Sequence, residues 1–353
     1  MKELRLMKGN EAIAEAAIRA GADAYFGYPI TPQSEILEYL ADQNPVETTG
    51  MVVLQAESEV AAINMVYGAA SAGRRVMTSS SSPGISLMTE GISYLAGAEL
   101  PCVIVNVARG GPGLGTIQPS QADYFQSTRG GGHGDYRLLV LAPASVQEMA
   151  DFVALGFDLA FKYRNPVLIL SDGVIGQMME KVELPEFRPR RKENESWATT
   201  GKTPGRERNI ITSLNLDACI HEQHNIKLQA KYRRMEEEET RCEAILCDDA
   251  EYIAVAYGAS ARISRKAVEQ AREQGIRAGL FRPVTLFPFP ARELKTAAKN
   301  AKGLLSVEMS AGQMIEDVRL AVDCRIPVKH FGRYGGVVHA PGEVLEAIKT
   351  FQV

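Results

Sequence analysis

Three stretches of this chain place chemically capable side chains where a folded backbone would present them to a ligand. The first is ESEVAAINMVYGAASAGRRVMTSSSSPG, from Glu57 to Gly84. Glu57 and Glu59 open a helix crowded with Ala and Gly, a strand VMT follows, and a Ser-rich turn with Pro83 and Gly84 opens the next helix. An acid at the mouth of a tightly packed helix, facing a polar turn, is placed to relay a proton. Burial there holds a carboxyl group near the boundary between its two protonation states. A Glu at a helix N-terminus also serves as a dipole partner or cap, so position alone does not decide its role. The second stretch is GYPITPQSEI, Gly27 to Ile36. A hydroxyl at Thr31 beside the free N–H groups of a helix start favours an anion, although the same residue also fits a plain N-cap. The third is VNVARGGPGLGTIQPSQAD, Val105 to Asp123. Arg109 follows an apolar strand and heads a glycine-rich loop, the end of a strand where ligands gather in α/β sheets. A guanidinium there can grip a carboxylate with two prongs.

These motifs carry a family resemblance. The spacing from Glu59 to Gly68 and on to the T-x-S-S-S-P-G turn resembles the pyrimidine-binding domain of thiamine-diphosphate enzymes. The YPITP segment resembles the alpha-type subunit of 2-oxoacid:ferredoxin oxidoreductases. YGAS (Tyr257 to Ser260), RPVTLFPFP (Arg282 to Pro290) and VEMSAGQM (Val307 to Met314) resemble a transketolase C-terminal-like domain. The resemblance implies that Glu59 bonds N1′ of the coenzyme's aminopyrimidine and promotes the imino tautomer that takes the proton from C2. Glu57 is the runner-up, two residues early. Thr31 and Arg109 are then the expected contacts of the substrate carboxylate, and Pro29, Ile30, Ser82 and Pro83 those of the coenzyme. Ser82 departs from the family pattern, standing where Gly is common, which bears on how closely the coenzyme approaches. Glu308 is expected to pack rather than react.

The family clamps the diphosphate through Mg²⁺ with a GDG motif and a downstream Asn. Here Ser171 precedes Asp172 and Gly173, and no suitable Asn follows. The resemblance therefore implies that a beta-type partner supplies Mg²⁺ and the diphosphate half of the site. It implies further a ferredoxin-like iron–sulfur subunit and a gamma-type subunit, with ferredoxin and coenzyme A as co-reactants. The nearest type is the one acting on 2-ketoisovalerate (3-methyl-2-oxobutanoate), with the 2-oxoglutarate type next. A non-oxidative thiamine-dependent decarboxylase and a non-catalytic assembly subunit are the alternatives.

The elements that must position these residues read as alternating helices and strands. Helices are expected at Gly9 to Ala20, Gln33 to Ala41 and Glu57 to Ala72, the second opened by Thr31 and Pro32. Strands are expected at Ala24 to Tyr28, Met51 to Leu54, Arg75 to Thr78, Pro101 to Val107, Arg137 to Ala142 and Pro166 to Ser171. Short apolar strands between helices predict an α/β protein with two doubly wound, mostly parallel-sheet domains. The first spans 1–184 and the second 251–353, of the thiamine-diphosphate-binding and transketolase C-terminal-like folds. The polar stretch 185–250 reads as a partly helical linker, with the charge run Glu236 to Glu239 on a solvated face.

Composition narrows the classes. At 353 residues, 45% hydrophobic and 23% charged, the chain has material for a large core. A net charge of −4 gives no sign of a nucleic-acid partner. No apolar run is long enough to span a bilayer, and the start lacks a signal peptide's apolar stretch, so a cytoplasmic protein without a membrane partner is expected. The five cysteines are scattered without a CxxC, which argues against a disulfide framework or a cluster held by this chain. Gly110, Gly111, Gly113 and Gly115 do not form a GxGxxG fingerprint in a strand–helix frame, which speaks against dinucleotide binding. His133, in RGGGHG, reads as a surface-loop residue.

Overall fold

A computed structural model describes residues 3–190, 195–202, 204–205 and 207–351. The chain begins with β1 (Leu4–Lys8), α1 (Gly9–Arg19), β2 (Ala24–Gly27), α2 (Ser34–Gln43), a short α3 (Pro45–Thr48) and β3 (Val52–Gln55). It continues through α4 (Glu59–Ser71), β4 (Val76–Ser80), α5 (Ser82–Gly97), β5 (Cys102–Ala108), α6 (Tyr124–Arg129) and β6 (Leu139–Leu141). Next come α7 (Val146–Tyr163), β7 (Pro166–Asp172), α8 (Gly173–Gln177), β8 (Met179–Glu183), α9 (Ala218–Glu238) and β9 (Cys242–Ile245). The last part holds β10 (Tyr252–Val255), α10 (Gly258–Glu273), β11 (Ala278–Pro283), β12 (Thr285–Phe287) and α11 (Ala291–Ala297). It ends with β13 (Gly303–Glu308), α12 (Met314–Ala321), β14 (Val328–Gly332) and α13 (Pro341–Lys349).

The first sheet has the strand order β12-β6-β7-β5-β4-β2-β3 and is parallel except for β12. Its central strands, CVIVNVA and PVLILSD, are buried along their whole length, as continuous apolar runs between two helical layers must be. With right-handed crossovers this order puts α4 and α5 on one face and α2 and α7 on the other. The second sheet runs β14-β13-β10-β11-β9, parallel but for β9. The α/β expectation holds, with two departures in detail. Cys242–Ile245, inside the stretch read as linker, is an edge strand of the second sheet. Thr285–Phe287, from the C-terminal unit, adds an antiparallel edge to the first sheet. The two units are therefore interlocked through their sheets. The charged helix α9 is also more than a solvated rod, since it buries Leu228, Tyr232 and Met235.

Local capping sets where the helices start. Ser58 Oγ accepts the N–H of Ala61 at 3.2 Å and fixes the start of α4. Ser145 Oγ does the same for Glu148 at 3.1 Å at α7. Helix α2 begins at Ser34, with Gln33 in the cap position, so Thr31 lies before the helix rather than capping it. Asp172 caps α8, its Oδ1 accepting from Val174 at 2.8 Å and Ile175 at 3.2 Å, while Oδ2 meets the N–H of Ala259 in the second unit at 3.4 Å. Burial lifts this carboxyl to about 6, with the N–H groups pulling the other way. An acid whose folded value exceeds its unfolded one stabilises the fold most below the unfolded value, and that contribution is lost as pH rises through about 6. Asp172→Asn keeps the cap oxygen and should flatten the pH dependence of stability between about pH 4 and 6. Thermal unfolding across that window, compared with the parent chain, checks this. Parallel profiles would contradict it.

Candidate active site

Glu59 is the first residue of α4 and only 5% exposed, whereas Glu57 lies outside the helix and is exposed. The cap at Ser58 aims the start of α4 across to the start of α5, because the two helices pack against each other. The Glu59 carboxylate lies over Gly84, where an added Cβ would come within 2.5 Å of Oε1 and 2.0 Å of Ser80 Oγ. Only glycine allows this approach. Among the described residues the Glu59 carboxylate has no hydrogen-bond or ion-pair partner, and the neighbouring hydroxyls of Ser80 and Ser81 are buried without partners. Gly84→Ala should push Glu59 and Ser80 from this arrangement. Turnover is expected to fall by at least about tenfold while stability drops by about 1–3 kcal/mol, read from steady-state rates and thermal unfolding of the same preparation. Unchanged turnover would contradict the placement.

Arg109 is 7% exposed and sits at the carboxyl end of β5. Its Nη1 donates to the carbonyl of Thr31 at 2.9 Å and its Nη2 to that of Leu114 at 3.1 Å. The guanidinium thus brackets the Thr31 segment and its own glycine loop, and buried Nε has no partner. The loop is closed by Thr116 N–H to the Gly110 carbonyl at 2.8 Å; Gly115, at φ 63°, passes so close to that carbonyl that no side chain fits. Ser82 Oγ accepts the N–H of Arg109 at 2.9 Å. The residue that departs from the family pattern thus ties the α5 start to the arginine.

The predicted residues do not all converge. Arg109, Ser82 and Pro83 line a cavity of about 440 Å³ together with Asp123, Gly110 to Gly113 and, from the second unit, Met309, Ser310, Ala311, Gln313 and Tyr334. Thr31 is exposed and lines a different cavity of about 660 Å³, with Glu35, Ile117 and Val338. Its carbonyl, not its hydroxyl, meets Arg109. Pro29 and Ile30 are half-buried in the preceding segment and line neither cavity. Glu59 lines neither, lying across the first turn of α5. His133 is exposed and packs edge-on against Tyr94.

Sequence reading missed the contribution of the second unit. Gln121, 2% exposed, fastens the loop that follows Arg109 to that unit through five hydrogen bonds. Its side chain donates to the Tyr257 carbonyl at 2.9 Å and accepts from Ser260 Oγ at 2.6 Å and the Met309 N–H at 3.0 Å. Glu308 is fully buried and accepts from Ser306 and Ser310 Oγ and from the N–H groups of Gln313, Met314 and Ile315, at 2.8–3.1 Å. Its carboxylate holds the start of α12 and the cavity wall, a packing role.

Residues 15–244 match the family described as pyruvate flavodoxin/ferredoxin oxidoreductase, thiamine diphosphate-binding, and residues 250–344 match pyruvate:ferredoxin oxidoreductase core domain II. The chain belongs to the 2-oxoacid:ferredoxin oxidoreductases. Within this family it is 54% identical to ketoisovalerate oxidoreductase subunit VorB of Methanothermobacter thermautotrophicus, over 98% of this chain and 97% of that one. It is 38% identical to 2-oxoglutarate synthase subunit KorA of Archaeoglobus fulgidus, over 94% and 95% of the two chains. A solved 2-oxoglutarate:ferredoxin oxidoreductase from Magnetococcus marinus, with 2-oxoglutarate, coenzyme A and succinyl-CoA bound, superposes with a TM-score of 0.88 at 27% identity. That match takes in 99% of this chain but only 65% of the longer one. The likeness to a split-gene transketolase (TM-score 0.62, 13% identity) shows the fold alone. The chain is thus an oxidoreductase subunit with a thiamine-diphosphate-binding domain, as the three motifs implied. No helix among the described residues is long and apolar enough to cross a membrane.

The residues at the α4 and α5 starts fit the aminopyrimidine of that coenzyme. The carboxylate of buried Glu59, without a partner among the described residues, beside the orphaned hydroxyl of Ser80 and over a glycine that leaves room, suits a flat ring with both donors and acceptors. The acid of the SDG segment is otherwise engaged, since both Asp172 oxygens take backbone N–H groups.

Proposed function

We propose that this chain supplies the aminopyrimidine side of a thiamine-diphosphate site shared with a beta-type partner, in an enzyme that converts 2-ketoisovalerate oxidatively to an acyl-CoA and CO₂. The observation that carries this is the Glu59 carboxylate, buried yet unpartnered at the start of α4. Thiamine diphosphate, when bound, supplies the electron sink that lets a 2-oxoacid lose CO₂. Glu59 holds a proton on the ring nitrogen facing it, and Gly84 fixes how closely it reaches. Pro29, Ile30, Ser82 and Pro83 would flank the coenzyme, Ser82 also setting the backbone of Arg109. Arg109 has three N–H groups left after bonding the Thr31 and Leu114 carbonyls, enough for a substrate carboxylate at the cavity it lines. Thr31 would meet that carboxylate from the adjoining segment.

The partner would bring Mg²⁺ and the diphosphate clamp, and iron–sulfur clusters on ferredoxin-like and gamma-type subunits would carry electrons to ferredoxin. Exposed apolar side chains on the faces around Glu59 support a docked chain there: Leu54 of β3, Val60 and Met65 of α4, Leu87 and Tyr94 of α5. The higher identity to VorB than to KorA supports the branched substrate. The reconstituted complex, assayed against a panel of 2-oxoacids with a viologen acceptor, should show its highest kcat/KM on 2-ketoisovalerate. Preference for 2-oxoglutarate would overturn the substrate, and CO₂ release without acceptor reduction would overturn the reaction.

A further inference from the structure

Asp123 lies between α6 and the loop that follows Arg109, an acid on a cavity that would receive an anionic substrate. No cation pairs with it among the described residues. Its Oδ2 accepts from Ser82 Oγ at 2.7 Å and from Asn106 Nδ2 at 2.8 Å, while Oδ1 has no partner among the described residues. The Ser82 hydroxyl has two acceptors, Asp123 Oδ2 at 2.7 Å and the Arg109 carbonyl at 3.2 Å; the shorter bond to Asp123 favours an orientation that turns an Oγ lone pair to the Arg109 N–H, 2.9 Å away. Asn106 is fully buried on β5, three residues before Arg109. The far end is fixed as well, since Gln121, two residues before Asp123, is fastened to the second unit. An unbroken line of bonds therefore runs from the C-terminal unit through Asp123 and Ser82 to the backbone of Arg109.

We propose that Asp123 is a positioning residue for Arg109, holding Ser82 and Asn106 so that the guanidinium starts from the place where it meets the substrate carboxylate. This rests on the reading of Arg109 as the carboxylate contact. Burial raises the carboxyl of Asp123, with the Ser82 and Asn106 bonds opposing. Both protein hydrogen bonds fall on one oxygen. An asparagine can place its amide oxygen there and keep both, whereas alanine keeps neither.

The test is steady-state kinetics of the reconstituted complex carrying Asp123→Ala, Asp123→Asn, Ser82→Ala or Arg109→Met, with 2-ketoisovalerate and coenzyme A varied separately. Asp123→Ala should raise KM for the 2-oxoacid by about tenfold or more with kcat and KM for coenzyme A within about threefold of the parent. Asp123→Asn should return KM to within about threefold of the parent. Ser82→Ala, which cuts the same line while leaving the acid in place, should raise KM in the same direction. Where Asp123→Ala does not assemble, an unchanged KM in Ser82→Ala overturns the proposal by itself. An asparagine variant as impaired as the alanine one, or an unchanged KM in both Asp123→Ala and Ser82→Ala, overturns the proposal. An unchanged KM in Arg109→Met instead overturns the reading of Arg109 itself.

Discussion

Glu59→Gln should lower turnover of the reconstituted complex by about 10²–10⁴-fold while the chain stays folded and assembled. The substitution keeps the size and the buried position over Gly84, so packing gives no reason for a loss. It removes the one property an amide lacks, the ability to hold or release a proton at that oxygen. Among the described residues Glu59 serves no partner that a glutamine would fail to serve. Steady-state rates, with circular dichroism and assembly as controls, read the outcome. Turnover within about tenfold of the parent would mean that the proton is handled elsewhere.

The largest stability effect is expected at Glu308. Glu308→Ala strands three N–H groups at the start of α12 and two serine hydroxyls in the interior. Leaving buried donors of a charged acceptor unpaired costs about 3–5 kcal/mol in comparable cases. Denaturant unfolding should show a midpoint shift of that size, and Glu308→Gln, which retains one accepting oxygen, about half of it. A loss below about 1 kcal/mol for the alanine variant would show that water replaces the carboxylate there. Met309, Ser310, Ala311 and Gln313 border the same cavity as Arg109, so weaker substrate binding is expected alongside.

How legible these features were depends on how local their causes are. The parallel strands and their helices were readable because CVIVNVA and PVLILSD announce burial on both faces by themselves. Glu59 was preferred over Glu57 on spacing, and the structure buries the former and exposes the latter. Thr285–Phe287 was not separable from its neighbours, because three residues hold no periodicity and the partner Val140–Leu141 is far away in the chain. Cys242–Ile245 was hidden likewise, being a short, half-exposed edge strand beyond a charged helix. Asp123 and Gln121 drew no notice since an acid before a short helix and a polar loop residue are unremarkable locally. Their meaning lies in bonds to Ser82, Tyr257 and Met309, which no spacing rule reveals. Thr31 and Arg109 are expected to share the substrate carboxylate, and the fold adds a direct bond between them through the Thr31 carbonyl.

Exchange of the C2 proton of thiamine diphosphate for deuterium, followed by NMR after acid quench, reports on Glu59 without requiring the later steps of turnover. In the assembled complex the parent should exchange at least about 100-fold faster than Glu59→Gln with coenzyme bound to both. Equal exchange rates in the two would contradict the assignment of this carboxylate to the coenzyme's ring.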